Sequence, residues 1–160
     1  MNWSDAAAPV GVSREFVEPL FRQLEIRANK LGYLRQTEMP VLTTQSDLCL
    51  VTENGTIIRQ IREHDDRIMF MIPPGVNVVH IVSNASRPCD VIGPFVDDRR
   101  YFGVAIGEIM IFESNKTHAI TTHLTETELK GWNAIACKDE RWRSGNAVLQ
   151  LGERALNSIA

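Results

Sequence analysis

The apolar residues between positions 13 and 31 recur every three or four positions, which predicts one amphipathic helix. The large side chains on its apolar face are Phe16, Val17, Leu20, Phe21, Leu24 and Leu31. Ser13 is a suitable N-cap, and Gly32 supplies the backbone freedom with which helices commonly end. Proline removes a backbone hydrogen bond and restricts the preceding residue, so the regular helix is expected to start at Glu18 or Pro19.

After Pro40 the pattern changes to short runs of strand-forming residues separated by turn residues. The runs are 48–52, 56–61, 68–72, 76–82, 101–112, 118–124 and 147–151. Asn54-Gly55 predicts a hairpin with a type I′ turn between the first two runs. A second hairpin is expected across Pro73-Pro74-Gly75, and a third across Ser114-Asn115. Residues 84–98 are expected to form a long ordered loop that crosses from one sheet to another.

This order of elements predicts a mainly β fold: an antiparallel β-sandwich or jelly roll with the N-terminal amphipathic helix packed on it. Residues 1–12 are expected to form a loose arm. Residues 13–160 are expected to form a single β-rich domain, with the helix at about 13–31 and strands from about 47 to 151.

The run 101–112 is predicted to be the longest strand, with its bulky even-numbered side chains facing the core. Glu108 falls on that face, where a charged carboxylate requires a partner, and Arg99, Arg100 or Arg141 is the expected one. A strand end turned toward solvent is the alternative. The opposite face carries Gly103, Ala105 and Gly107, which admit a close neighbour. The amphipathic helix is the expected occupant of that face, and a flat ligand is the alternative.

The composition narrows the function classes. The 160 residues carry a net charge of −3, and no basic cluster interleaves with aromatic residues, so nucleic acid is not an expected partner. The apolar runs are much shorter than the roughly 20 residues of a membrane span, and no signal peptide is evident. Three widely spaced cysteines fit neither a disulfide framework nor a zinc site. Both the cytoplasm and export without a classical signal peptide stay open.

Trp132 and Trp142 are the residues best suited to bind a ligand, since an indole stacks on the apolar face of a sugar ring. Polar residues close to them in sequence are Asn133, Arg141, Arg143 and Asn146. The alternative is that both indoles are core or lid residues.

A second polar cluster consists of Asp97, Asp98, Arg99 and Arg100. It is either a clamp for a hydroxyl or carboxylate of a ligand or a salt-bridged corner. His118 and His123 are predicted to lie on opposite faces of one strand, so they cannot easily share a metal. No metal site, cofactor site or catalytic residue is predicted.

Three segments carry a family resemblance: 78–88 (VVHIVSNASRP), 96–106 (VDDRRYFGVAI), and Gly131-Trp132 together with 141–149 (RWRSGNAVL). Over about residues 40–152 the chain resembles the β-domain that follows the Hint (hedgehog/intein-type) domain in alphaproteobacterial proteins, notably those of acetic acid bacteria. It is also similar to accessory β-domains of surface-polysaccharide glycosyltransferases. The self-processing nucleophile and Thr-x-x-His block of the Hint domain are absent. The resemblance therefore implies an accessory module.

Three hypotheses follow. The first is a non-catalytic module that recognises glycan or docks on a cell-surface or partner protein. The second is a carbohydrate-active enzyme that uses Glu108 and either Asp97 or Asp98 as its carboxylate pair. The third is a self-associating structural subunit that uses an apolar face or an exposed sheet edge.

Overall fold

The computed structural model describes residues 11–33 and 41–154, so the predicted arm at 1–12 lies almost wholly outside the described residues. The elements in chain order are α1 (Arg14–Lys30), β1 (Cys49–Thr52), β2 (Ile57–His64), β3 (Arg67–Phe70), β4 (Val78–Val82), α2 (Pro88–Val91), β5 (Ala105–Ile106), β6 (Ile109–Glu113), β7 (Lys116–Ile120), α3 (Thr122–Thr125), β8 (Arg141–Trp142) and β9 (Asn146–Gln150). All strand pairs in the described chain are antiparallel. The prediction of a mainly β, antiparallel fold is confirmed.

The contacts divide the described chain into two compact units. The first contains residues 11–33, 41–42 and 87–99, and the second contains 43–86 and 100–154. The predicted single domain depends on how the two units are arranged, and so does the predicted packing of the helix on the sheet. Both therefore stay predictions.

Helix α1 spans Arg14–Lys30, which confirms the predicted helix. The expected start at Glu18 or Pro19 is wrong, because Pro19 lies inside the helix. Ion pairs from Glu18 to Arg14 and Arg22 bridge the turns on either side of the proline. At the other end the Tyr33 N–H bonds to the Ala28 carbonyl, and Gly32 has a φ of 79°. This Schellman-type ending is the one that the glycine predicts.

The main sheet has five strands in the order β3-β2-β1-β4-β9. The predicted hairpin between β1 and β2 is confirmed. Its predicted type I′ turn is wrong, because Gly55 has a positive φ of 84° but Asn54 does not. The Gly55 N–H bonds to the Thr52 carbonyl, and the Thr52 N–H bonds to the Thr56 carbonyl. This geometry matches a three-residue loop that ends in a glycine bulge.

The predicted hairpin across Pro73-Pro74-Gly75 is wrong. Strand β3 pairs with β2, and β4 pairs with β1 instead. Asp65 and Asp66 both have positive φ, 47° and 60°, and form the tight turn between β2 and β3. The connection after β3 therefore passes β2 and β1 before β4 pairs with β1.

The predicted long strand over 101–112 is also wrong. Phe102 makes an isolated bridge to Ser86, β5 pairs with β8, and β6 pairs with β7. Gly103 and Gly107 lie at the two interruptions, and glycine weakens the interior of a strand.

The predicted pairing across Ser114-Asn115 is confirmed, with φ values of 50° and 60° at the turn. The strand ends at Ile120, however, and residues 122–125 are helical.

The hydrophobic core of the second unit joins side chains from several sheets. Its central members are Leu50, Val79, Ile81, Ala147 and Leu149 of the five-stranded sheet. Ile111 and Ile120 of the β6–β7 hairpin belong to the same cluster. Burial of these side chains holds the three sheets of the unit together.

Candidate functional site

The two tryptophans that the sequence singles out occupy different environments. Trp132 is buried, its indole Nε1–H donates to the Val148 carbonyl at 2.8 Å, and its ring lies 5.2 Å from the His123 ring. Trp132 is therefore a core residue, which is the alternative considered from the sequence. Trp142 is 39% exposed. Of the two indoles, this one has surface left for a ligand.

Trp142 belongs to a small group of aromatic side chains in the second unit. The Phe102 ring meets it edge-on, with ring centroids 5.6 Å apart and planes at 82°. The Arg100 guanidinium lies over the Phe102 ring, 5.0 Å from its centroid, and Tyr101 next to it is 48% exposed. We call Arg100, Phe102 and Trp142 the aromatic patch. A cation beside exposed rings forms a surface with both apolar and polar binding capacity.

Asn133 fixes the backbone of the patch. Its N–H donates to the Trp142 carbonyl and its Nδ2 donates to the Tyr101 carbonyl, both at 2.9 Å. The Gly103 N–H donates to the Arg143 carbonyl at 2.7 Å. A Cβ on Gly103 would collide with the Ser83 hydroxyl and crowd this backbone. Backbone segments of the same unit thus lie close to Gly103 and Gly107.

Arg141 is buried and donates to four backbone carbonyls. The acceptors are Asn133 at 2.6 Å, His123 at 3.0 Å, Glu126 at 2.5 Å and Thr127 at 2.9 Å. Burial lowers the pKa of Arg141 below its usual value, partly offset by the charge of Glu128. The predicted ion pair between Arg141 and Glu108 is wrong, because Glu108 is not among the acceptors of Arg141. Arg141 joins the segment 123–133 to β8 and thereby positions Trp142.

Arg143 is fully buried as well. Its Nη1 donates to the carbonyls of Ile81 at 2.8 Å and Gly145 at 3.1 Å. Burial lowers the pKa of Arg143 to about 10, so the group is charged at neutral pH. The two Nη1 bonds tie β4 to the turn before β9. Nε and Nη2 have no hydrogen-bond partner among the described residues, so burial of this guanidinium is costly. Arg143 has no surface for a ligand.

His123 lies in α3 and is fully buried. The Nε2–H donates to the Gly107 carbonyl at 2.6 Å, whereas Nδ1 has no hydrogen-bond partner among the described residues. Burial lowers the pKa of His123, because a proton on Nδ1 would place an unsolvated charge in the core, and the nearby Arg141 charge lowers it further. The prediction that His118 and His123 share one strand is wrong.

Glu108 is exposed rather than buried, because it follows the break at Gly107, as in the alternative of a strand end turned to solvent. Its carboxylate pairs with Arg67 at 3.2 Å. It lies at the rim of an open depression that is lined by Ile109, Ala119, Ile120, Thr121, Leu124, Lys138 and Asp139. Asp97 and Asp98 belong to the first unit and Glu108 to the second, so the proposed carboxylate pair stays a prediction.

The other candidate residues lie at the surface. Arg99 Nε is 3.9 Å from Asp97 Oδ1 with both side chains largely exposed, and such a pair contributes little to stability. The Asp98 carbonyl accepts from the Cys89 N–H. Asn146 is exposed at the start of β9 and accepts from His80 Nδ1–H at 2.9 Å. A ligand role for these residues stays a prediction.

The sequence interpretation missed the roles of Tyr101 and Phe102, which it assigned to a regular strand. The signal available for them was the glycine at 103, which interrupts a strand directly after two aromatic residues. Over residues 11–33 and 41–154, no group of three His, Cys, Asp or Glu side chains is arranged to hold a metal ion. No described helix is long and apolar enough to cross a membrane.

Comparisons with protein-family models, with curated proteins and with solved structures found no match to this chain.

Proposed function

We propose that this chain is a non-catalytic accessory module that recognises glycan through the aromatic patch. The observation that carries the proposal is the exposed indole of Trp142, which is supported from the side by Phe102. Docking on a cell-surface or partner protein is the alternative use of the same surface.

The chemistry of the patch suits a sugar. The C–H face of a pyranose ring packs on an aromatic face, and flanking donors orient its hydroxyl groups. Trp142 supplies an exposed ring, and the Arg100 guanidinium lies over the neighbouring Phe102 ring. Because Arg141 and Asn133 hold the backbone beneath these rings, little ordering accompanies binding.

Two further lines support the proposal. The resemblance to Hint-associated and glycosyltransferase-associated β-domains includes Gly131-Trp132 and 141–149, which together form the support of the patch. The common core of the five-stranded sheet and the β6–β7 hairpin is consistent with a β-sandwich, an architecture that we propose for the second unit.

Isothermal titration with a panel of neutral and acidic oligosaccharides at up to about 10 mM tests the proposal, since single-site sugar contacts of this size correspond to Kd values near 1 mM. We expect Trp142→Ala to weaken binding about tenfold or more, through loss of the stacking surface. Phe112→Ala is the matched control, because Phe112 is an exposed aromatic residue on β6, outside the patch. Absence of binding, or equal binding by Trp142→Ala, would contradict the proposal.

A further inference from the structure

The two edges of the five-stranded sheet differ in how they are covered. At the β9 edge, the Val148 N–H donates to the Lys130 carbonyl and the Trp132 indole donates to the Val148 carbonyl. Strand β3 forms the other edge, and within the described chain it pairs with β2 alone. Its outward backbone groups are therefore available to another strand.

Apart from Arg67, the side chains of the β3 edge are apolar on both faces. Ile68 and Phe70 are half-buried and pack on the hydrophobic core at its open end. On the other face, Met69 and Met71 are 55% and 54% exposed. A strand added at this edge would cover both pairs and continue the core. The edge contains no lysine or proline between positions 67 and 72, so two common protections against strand addition are absent.

We propose that two copies of this chain associate by antiparallel pairing of their β3 strands. The pairing is self-complementary when its two-fold axis passes through Met69. It then places Met69 opposite Met69 of the second copy and Ile68 opposite Phe70. Arg67 falls opposite Met71, so no like charges meet, and its ion pair with Glu108 is retained. This inference uses a different surface from the aromatic patch and does not depend on glycan binding.

The expected strength follows from the length of the strand. Two strands of four residues cover less than the about 800 Å² per partner of a standard complex. We therefore expect a weak, reversible dimer that dissociates on dilution.

Sedimentation velocity over a hundredfold concentration range, from about 5 to 500 µM, tests the proposal on the full chain, since each tenfold change in Kd is about 1.4 kcal/mol. We expect the average mass to rise with concentration for the wild type. Met69→Lys places like charges opposite each other at the axis and should weaken association about tenfold or more. Met110→Lys is the matched control, since Met110 is 47% exposed on β6, and it should associate like the wild type. Circular dichroism checks that both variants are folded.

Cross-linking gives a second, geometric test. Opposed residues in such a pair have Cβ atoms about 5 Å apart, so Met69→Cys should form a disulfide-linked dimer under mild oxidation. The background carries Cys137→Ser, because Cys137 is exposed. Met110→Cys in the same background is the control. A wild type that stays monomeric throughout, equal weakening by both lysine variants, or equal cross-linking at both positions would overturn the proposal.

Discussion

Replacement of Arg141 by alanine is expected to lower the free energy of unfolding by about 2 to 3 kcal/mol, because it removes charged hydrogen bonds and leaves a buried carbonyl without a donor. The side chain is 1% exposed and donates to four carbonyls. The bond to the His123 carbonyl is fully buried, so loss of its donor leaves an unsatisfied acceptor at a cost of about 1 to 3 kcal/mol. The other three acceptors are partly accessible to water, so each of them contributes less to the loss of unfolding free energy.

Urea denaturation followed by tryptophan fluorescence measures this change, because Trp132 is buried about 6.0 Å from the Arg141 guanidinium. Arg141→Lys keeps the charge but lacks the planar fork, so it should recover part of the loss only. Arg59→Ala is the control, since Arg59 is exposed on β2, and it should change stability by less than about 0.5 kcal/mol. A loss below about 1 kcal/mol for Arg141→Ala would refute the assigned role.

Three further predictions test contacts inside the second unit. The folded state holds His123 neutral with a pKa below 6.5, so the unfolded state binds the proton first and stability falls as the pH drops below about 6.5. Urea denaturation at about pH 7.5 and at about pH 5 should show this loss of unfolding free energy. The variant His123→Gln should show a smaller difference between the two pH values. Gly131→Ala should cost more than about 2 kcal/mol, because φ is 83° there and the new Cβ would strike the Asn146 carbonyl. Thermal unfolding measures this loss, and an unchanged Tm would contradict it. Glu113→Gln should cost about 2 kcal/mol by removing the charge that faces buried Arg154 at 3.4 Å, as read from denaturant midpoints. Equal midpoints would show that the pair is dispensable.

The local signals in the sequence were reliable where neighbouring residues alone decide the geometry. The helix ending at Gly32 and the turn at Ser114-Asn115 depend on which residues tolerate a positive φ. The hairpin at Asn54-Gly55 was correct in its pairing, but its turn type was not, since a two-residue and a three-residue loop fit the same dipeptide.

Which strands pair with each other, and which side chains are buried, could not be predicted from the sequence. Strand β3 could pair across the prolines or across Asp65-Asp66, and the choice depends on which arrangement buries Ile68 and Phe70. The even-numbered alternation from 101 to 112 assumed one unbroken strand. Gly103 and Gly107 interrupt this strand, because a neighbouring backbone approaches closely at both positions.

The sequence by itself therefore determined the class of fold, the C-terminal end of α1 and the places of most strands, because these depend on local backbone preference and on periodic apolar positions. The tertiary structure alone decided that Trp132, Arg141 and Arg143 are interior while Trp142 is exposed. Arg141, Trp142 and Arg143 are consecutive but differ in burial, because the carbonyls that accept from the two arginines include those of His123 and Ile81, which are distant in the chain. Only folding brings these acceptors together.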